Sequence, residues 1–169
     1  MADTGNIILI GMPGSGKSTV GQILATELGW SFADTDALVE ARQGRTLQAI
    51  VDTVGPGGVL EAESREARNL DCRNTVIATG GSMVYSEAAM RALHQLGTVI
   101  WLDVPLATLG ERVGDGTNRG LAMRPGQDLG DLAAERLPLY RRYADIRIDC
   151  SDRRPEQVVA AIVDQCRVA

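Results

Sequence analysis

Ile7-Ile8-Leu9-Ile10-Gly11-Met12-Pro13-Gly14-Ser15-Gly16-Lys17-Ser18 is an apolar run that breaks into a glycine-rich turn and leads into an amphipathic stretch. Consecutive branched aliphatic residues suit a strand buried on both faces. From Gly11 to Ser18 the turn satisfies every fixed position of GxxxxGK[ST], and a helix is predicted from Lys17. Gly11, Gly14 and Gly16 let such a loop wrap, so that successive backbone N–H groups point inward at phosphate oxygens. The helix N-terminus adds the positive end of its dipole. Lys17 then reaches the β- and γ-phosphates of ATP, and Ser18 offers a hydroxyl to Mg²⁺. Ser15 and Thr19, inside and just after the loop, complete the nucleotide-binding set. A chance glycine turn is the alternative, but it requires no flanking strand and helix in register, and both are present.

The rest of the chain alternates short apolar runs with longer amphipathic ones. Residues 75–78 and 98–102 read as two more strands buried on both faces, residues 146–149 as an edge-like strand, and residues 30–32 as a short fifth. Helices are predicted over residues 17–28, 36–43, 47–53, 60–70, 86–96, 105–112, 131–143 and 155–167. Strand–helix alternation at this spacing predicts an α/β fold: a doubly wound, five-stranded parallel sheet with helices on both faces. Residues 114–130, GDGTNRGLAMRPGQDLG, have no periodicity, are rich in glycine and polar residues and carry two arginines. A stretch of this kind in a compact domain is a functional lid or a disordered insertion, and the arginines favour a lid.

At 169 residues the chain fits one domain, spanning 1–169, by the usual span of roughly 100–200 residues. A net charge of −5 with no basic block argues against a nucleic-acid surface. Three cysteines without CxxC spacing suit reduced thiols better than a disulfide framework. The polar first residues lack a basic leader, and the following apolar run is too short to span a membrane. A cytoplasmic monomer is expected.

Asp34-Thr35-Asp36 follows the second strand, at the carboxyl edge where such sheets bind ligands. One carboxylate there can serve Mg²⁺ while the other takes an acceptor hydroxyl; alternatively, Asp36 merely caps the next helix. Thr79-Gly80-Gly81-Ser82 ends the third strand, where glycines permit close ligand approach. Arg136, in Glu135-Arg136-Leu137-Pro138-Leu139-Tyr140, can clamp an anion or simply face solvent. His94, the only histidine, lies in a predicted helix away from these motifs and reads as structural.

Together these motifs resemble the shikimate kinase family, within the nucleoside-monophosphate-kinase-like P-loop group, from Asn6 to about Val163. The matching residues include the phosphate loop through Gly21, Phe32-Ala33-Asp34-Thr35-Asp36, Thr79-Gly80-Gly81, Trp101-Leu102-Asp103, Asn118-Arg119, the Glu135–Tyr140 run and Ala144-Asp145. The resemblance implies catalytic roles for Lys17, Asp36 and Arg119, with Arg119 swinging over the phosphates from the lid. It implies Mg²⁺ at Ser18 and Asp34, and adenine between Arg112 and Pro155. Gly80, Gly81 and Ser82, with Asp36, Glu63 and Arg136, would line the acceptor site, whose helical segment covers residues 36–64. The family carries Gly-Glu-x-x-Phe-Arg-x-x-Glu there, its Arg being a second carboxylate clamp. Aligned without gaps, this chain has Val59 and Leu60 at the Phe and Arg positions, Val51 at a further aromatic, and Ser82 at a third glycine. Loss of a charge-assisted bond costs on the order of 1.5–3 kcal/mol, so only a substitute cation, with Arg65 the nearest candidate, would restore it.

ATP:shikimate 3-phosphotransferase activity is the leading expectation. A related kinase for homoserine, threonine or a sugar acid is the alternative, because a smaller acceptor needs only one arginine. A non-catalytic nucleotide-binding regulator is a third reading, opposed by the intact Lys17, Ser18, Asp34, Asp36 and Arg119.

Overall fold

The computed structural model describes residues 5–114, 124 and 126–168. Its five strands are β1 (Asn6–Ile10), β2 (Ser31–Asp34), β3 (Thr75–Ala78), β4 (Thr98–Asp103) and β5 (Ile146–Asp149). They pair in parallel in the order β2-β3-β1-β4-β5. Every residue of β1 and β3 is buried, as is the middle of β4, whereas β2 and β5 are partly exposed. Sequence pattern and position therefore agree: unbroken aliphatic runs occupy the centre, and the two weaker strands are the edges.

Helix α1 (Lys17–Leu28) carries the chain from β1 across β3 to β2 and packs with α7 (Pro155–Val168). After β2 come α2 (Thr35–Gln43) and α3 (Leu47–Asn69), then β3, α4 (Glu87–Leu96), β4, α5 (Leu106–Val113), α6 (Leu129–Tyr143), β5 and α7. Helices α4 and α6 pack on β4, and α3 lies against α4. The chain moves one way along the sheet from β1 to β2 and the other way from β2 to β5, which places α1 on one face and the helices from α2 to α6 on the other. The crevice beyond the carboxyl end of β1, where the direction of winding changes, is where such sheets receive ligands. Among the described residues, no helix is long and apolar enough to cross a membrane.

Most boundaries lie within two residues of the sequence reading, and three differences matter here. The helices expected over 47–53 and 60–70 meet in α3, whose one non-helical residue is Gly55 (φ 72°, ψ 177°). Pro56 restarts the helix directly after it, since a first-turn proline forgoes only an N–H that has no helical partner. Helix α6 begins at Leu129, two residues before the expected start, because Asp128 and Asp131 form a reciprocal capping box. Gly130, expected at the end of the lid, thus lies within α6. Finally, β1 begins one residue early, at Asn6.

Asn6 is buried, at 4% exposure, and its side chain is fully engaged. Its Nδ2 donates to the Cys72 (2.8 Å) and Leu96 (3.0 Å) carbonyls, and its Oδ1 accepts from the Thr75 amide at 3.0 Å. One amide thereby joins the amino ends of β1 and β3 to the end of α4. Asn6→Ala strands these buried backbone groups and should destabilise the chain by about 2–3 kcal/mol. Equilibrium urea unfolding would measure this; a change below about 0.5 kcal/mol, the size of an ordinary surface substitution, would show that water replaces the side chain.

Candidate active site

The glycine loop opens where β1 ends. Gly14 (φ 79°) and Gly16 (φ 89°) hold left-handed conformations that other residues rarely adopt, and Gly16 is the N-cap of α1. Lys17 Nζ lies over the loop, donating to the Gly11 and Met12 carbonyls at 2.9 and 3.0 Å and to Ser15 Oγ at 3.3 Å. Burial lowers its ammonium pKa to about 8, against the opposing pull of the Asp36 charge.

Asp34 takes the capping role that Asp36 had been a candidate for. Its Oδ1 accepts from the Asp36 amide at 3.0 Å as the N-cap of α2, and its Oδ2 accepts from Ser18 Oγ at 2.6 Å. Asp36 is left free to turn into the crevice, where its buried Oδ1 accepts from no amide or hydroxyl of the described residues and its partner is the raised-pKa carboxyl of Glu63. Between the two aspartates, the fully buried Thr35 accepts from the Gly80 amide through Oγ1 at 3.0 Å, tying the end of β2 to the end of β3. A Cβ on Gly80 would fall 2.6 Å from Asp36 Oδ1 and closer still to Glu63 Oε1. The two carboxylates therefore converge where only a glycine fits. Ser82 donates a short hydrogen bond to the other Glu63 oxygen.

Lys17, Ser18, Asp34, Asp36, Glu63, Gly81, Ser82 and Arg136 line one cavity of ≈ 260 Å³, together with Pro13, Leu47 and Thr79. Small-molecule sites run from roughly 300 Å³, so this one suits a small ligand. On the far side of the loop a second cavity, of ≈ 450 Å³, is lined by Gly14, Ser15, Gly16, Thr19, Arg112 and Pro155, with Cys150 and Arg153. Arg112 Nη1 donates to the Gly14 carbonyl at 3.2 Å. The phosphate loop is thus the wall between two cavities, as a loop holding phosphates between a nucleoside and an acceptor requires.

The shikimate kinase family profile matches residues 13–167. The chain belongs to the shikimate kinase family. A shikimate kinase of Symbiobacterium thermophilum is 44% identical over 166 residues, covering 95% of each chain. One of Persephonella marina is 37% identical over 163 residues, covering 96% of this chain and 99% of its own. Among solved structures, a shikimate kinase of Acinetobacter baumannii in complex with shikimate superposes with a TM-score of 0.90 at 32% identity, covering 97% of this chain and 93% of that one. Family membership makes this chain an ATP-using phosphotransferase with an alcohol group as acceptor.

Two acceptor-side candidates lie away from both cavities. Leu60 lines neither cavity. Arg65 lies on the outer face of α3, 61% exposed and 3.8 Å from Glu61, so it supplies no substitute cation. Lys17 and Arg136 are the cations of the first cavity among the described residues; Arg119 and most of the 114–130 segment lie outside them. Gly11 contributes a carbonyl to Lys17 rather than a cavity wall. Leu47 was missed in the sequence because an aliphatic side chain carries no motif of its own, whereas Pro13 and Thr79 lie inside motifs read for their glycines.

Burial, and then the charge of Asp36, pushes the Glu63 carboxyl up to about 8 from an ordinary 4.5. Asp36 is likewise raised, first by burial and then by Asp34. Between pH 4.5 and about 8 the folded chain therefore keeps a proton at Glu63 that the unfolded chain releases, so stability falls as pH rises through that window. The thermal midpoint should decline across it, and Glu63→Gln should flatten the decline. Parallel profiles for the two proteins would place Glu63 in the ordinary carboxylate range.

Proposed function

We propose that the chain transfers the γ-phosphoryl group of ATP to a hydroxyl of shikimate, giving ADP and shikimate 3-phosphate. The observation that carries this is the buried Asp36 carboxylate, in one cavity with the lysine of a phosphate loop and a buried arginine. An Asp36 oxygen that no amide or hydroxyl of the described residues satisfies, beside a phosphate cradle, suits a substrate hydroxyl. Family membership and the shikimate bound by the Acinetobacter baumannii relative support the choice of acceptor.

Asp36 orients the acceptor hydroxyl and takes its proton as oxygen attacks phosphorus in line and the bond to ADP breaks. Its raised pKa makes it a better base than an exposed aspartate. Lys17 and the loop amides neutralise the γ-phosphate, Arg136 holds the acceptor carboxylate, and Gly80 and Gly81 admit the ring. Arg119 is assigned to the phosphates and the 114–130 segment to the exclusion of water, both on the resemblance alone. Ser18 and Asp34 fit Mg²⁺: a hydroxyl and a carboxylate adjoin at the loop, the sparse oxygen set that this ion accepts when phosphates and water supply the rest. Bound there, it would neutralise charge on the phosphate oxygens. We place the activity in the cytosol, where the free thiols of Cys72, Cys150 and Cys166 stay reduced.

The exposed position of Arg65 favours a second reading. With Arg136 as the one guanidinium facing Asp36 and Glu63 among the described residues, a small hydroxy amino acid such as homoserine or threonine would place its carboxylate on Arg136 and its ammonium between the carboxylates. ADP release in the presence of shikimate, homoserine, threonine or gluconate decides between them. Shikimate turnover is expected; turnover with another acceptor and none with shikimate would overturn the first reading. Lys17→Ala should abolish turnover, and Asp36→Asn should lower kcat by roughly 10²–10⁴-fold. ATP binding without any acceptor-dependent ADP would indicate a regulator.

A further inference from the structure

Arg136 is 1% exposed, and among the described residues no carboxylate forms an ion pair with it. A buried cation without such a partner must draw compensation from elsewhere. Here it comes from two phenols, the buried Tyr140, whose hydroxyl also donates to the Gly81 carbonyl, and Tyr85, on the 3₁₀ turn Met83–Tyr85 that directly follows Gly80-Gly81-Ser82. Arg136 Nε donates to the Tyr85 hydroxyl at 3.4 Å, and the guanidinium carbon lies 5.3 Å from the Tyr85 ring centroid. The Tyr85 hydroxyl passes its own proton to Glu135 Oε2 at 2.9 Å, and the other Glu135 oxygen accepts from Arg124 at 2.5 Å. A hydroxyl that donates to a carboxylate is a stronger acceptor, so the Glu135 charge reaches Arg136 through the phenol.

The fork of Arg136 is thereby divided. Its Nε edge is engaged by Tyr85, whereas Nη1 lies 2.7 Å from where a Cβ on Gly81 would sit, at the cavity wall. A guanidinium can meet a carboxylate bidentately along either edge, and the phenol leaves open the edge formed by the two Nη atoms. We infer that Tyr85 is a positioning residue that fixes the roll of the Arg136 fork, so that an acceptor carboxylate is met by the paired Nη atoms. This rests on the reading that Arg136 receives the acceptor carboxylate. It adds a specificity element outside the cavity lining, since Tyr85 is itself 39% exposed and borders neither cavity.

The test compares wild type with Tyr85→Phe, which keeps the ring and removes the hydroxyl. KM for shikimate should rise roughly five- to tenfold, the loss of one hydrogen bond to a charged group, while KM for ATP stays as in wild type. An unchanged KM for shikimate overturns the inference. An independent readout needs no acceptor: the Nε–H resonance of Arg136, assigned through Arg136→Lys, should exchange faster with water in Tyr85→Phe. A resonance indistinguishable from wild type also overturns it. Should wild type phosphorylate no acceptor, the proposed function has failed, and the resonance alone decides the role of Tyr85.

Discussion

The hydrogen bond from the Gly80 amide to the Thr35 hydroxyl is the constraint on which the acceptor side of the molecule depends. Strand β2 is a four-residue edge that meets the sheet only through β3. Beyond the last ladder pair, Asp34 with Ala78, that bond carries the registration into the loops. It holds the first turn of α2, and with it Asp36, against the backbone of Gly80. Glu63 reaches the same point from α3, so three segments distant in sequence close on one small volume. Two contribute carboxylates and the third contributes the glycine that leaves room for them.

Charge explains why the crevice divides as it does. The nucleotide side is lined by loop amides, the hydroxyls of Ser15 and Thr19 and the guanidiniums of Arg112 and Arg153, with no carboxylate among its described residues. The acceptor side has two buried carboxylates, of which Asp36 raises the pKa of Glu63, and a guanidinium supported by a phenol instead of an ion pair. Buried charges held by neutral groups are costly to the fold, and such costs persist where binding uses them. Arg42 with Glu66, by contrast, is an ion pair that links α2 to α3 and does ordinary structural work.

The central strands and the phosphate loop were legible because their signals are local. Four aliphatic residues specify burial on both faces, and glycines at fixed offsets specify the turn. Helix α1 was readable to its last residue, since Gly29 caps it in a left-handed conformation. The division of labour between Asp34 and Asp36 was not legible: either carboxylate is a good cap, and only the position of Ser18 selects Asp34. Arg65 illustrates the same limit. It was a candidate only by nearness in sequence: side chains two residues apart on a helix do not share a face, so with Glu63 turned inward Arg65 turns out and meets Glu61 at the surface. The joining of two expected helices into α3 depended on a proline that looks like a breaker yet serves as a first-turn residue. Leu60 was singled out by comparison with the family, and it lines neither cavity although its i,i+3 spacing sets it on the same side of α3 as Glu63.

The three-way anchor made by Asn6 stands at the amino ends of the strands, while every group of the crevice stands at the carboxyl ends. A parallel sheet thus separates durability from chemistry by the length of its strands. Random mutagenesis of this enzyme should accordingly split into two spatial populations, one altering cellular abundance and heat tolerance, the other altering substrate range. An engineer can harden the first end with little risk to the second, a freedom denied to folds whose reacting groups sit in the middle of their cores.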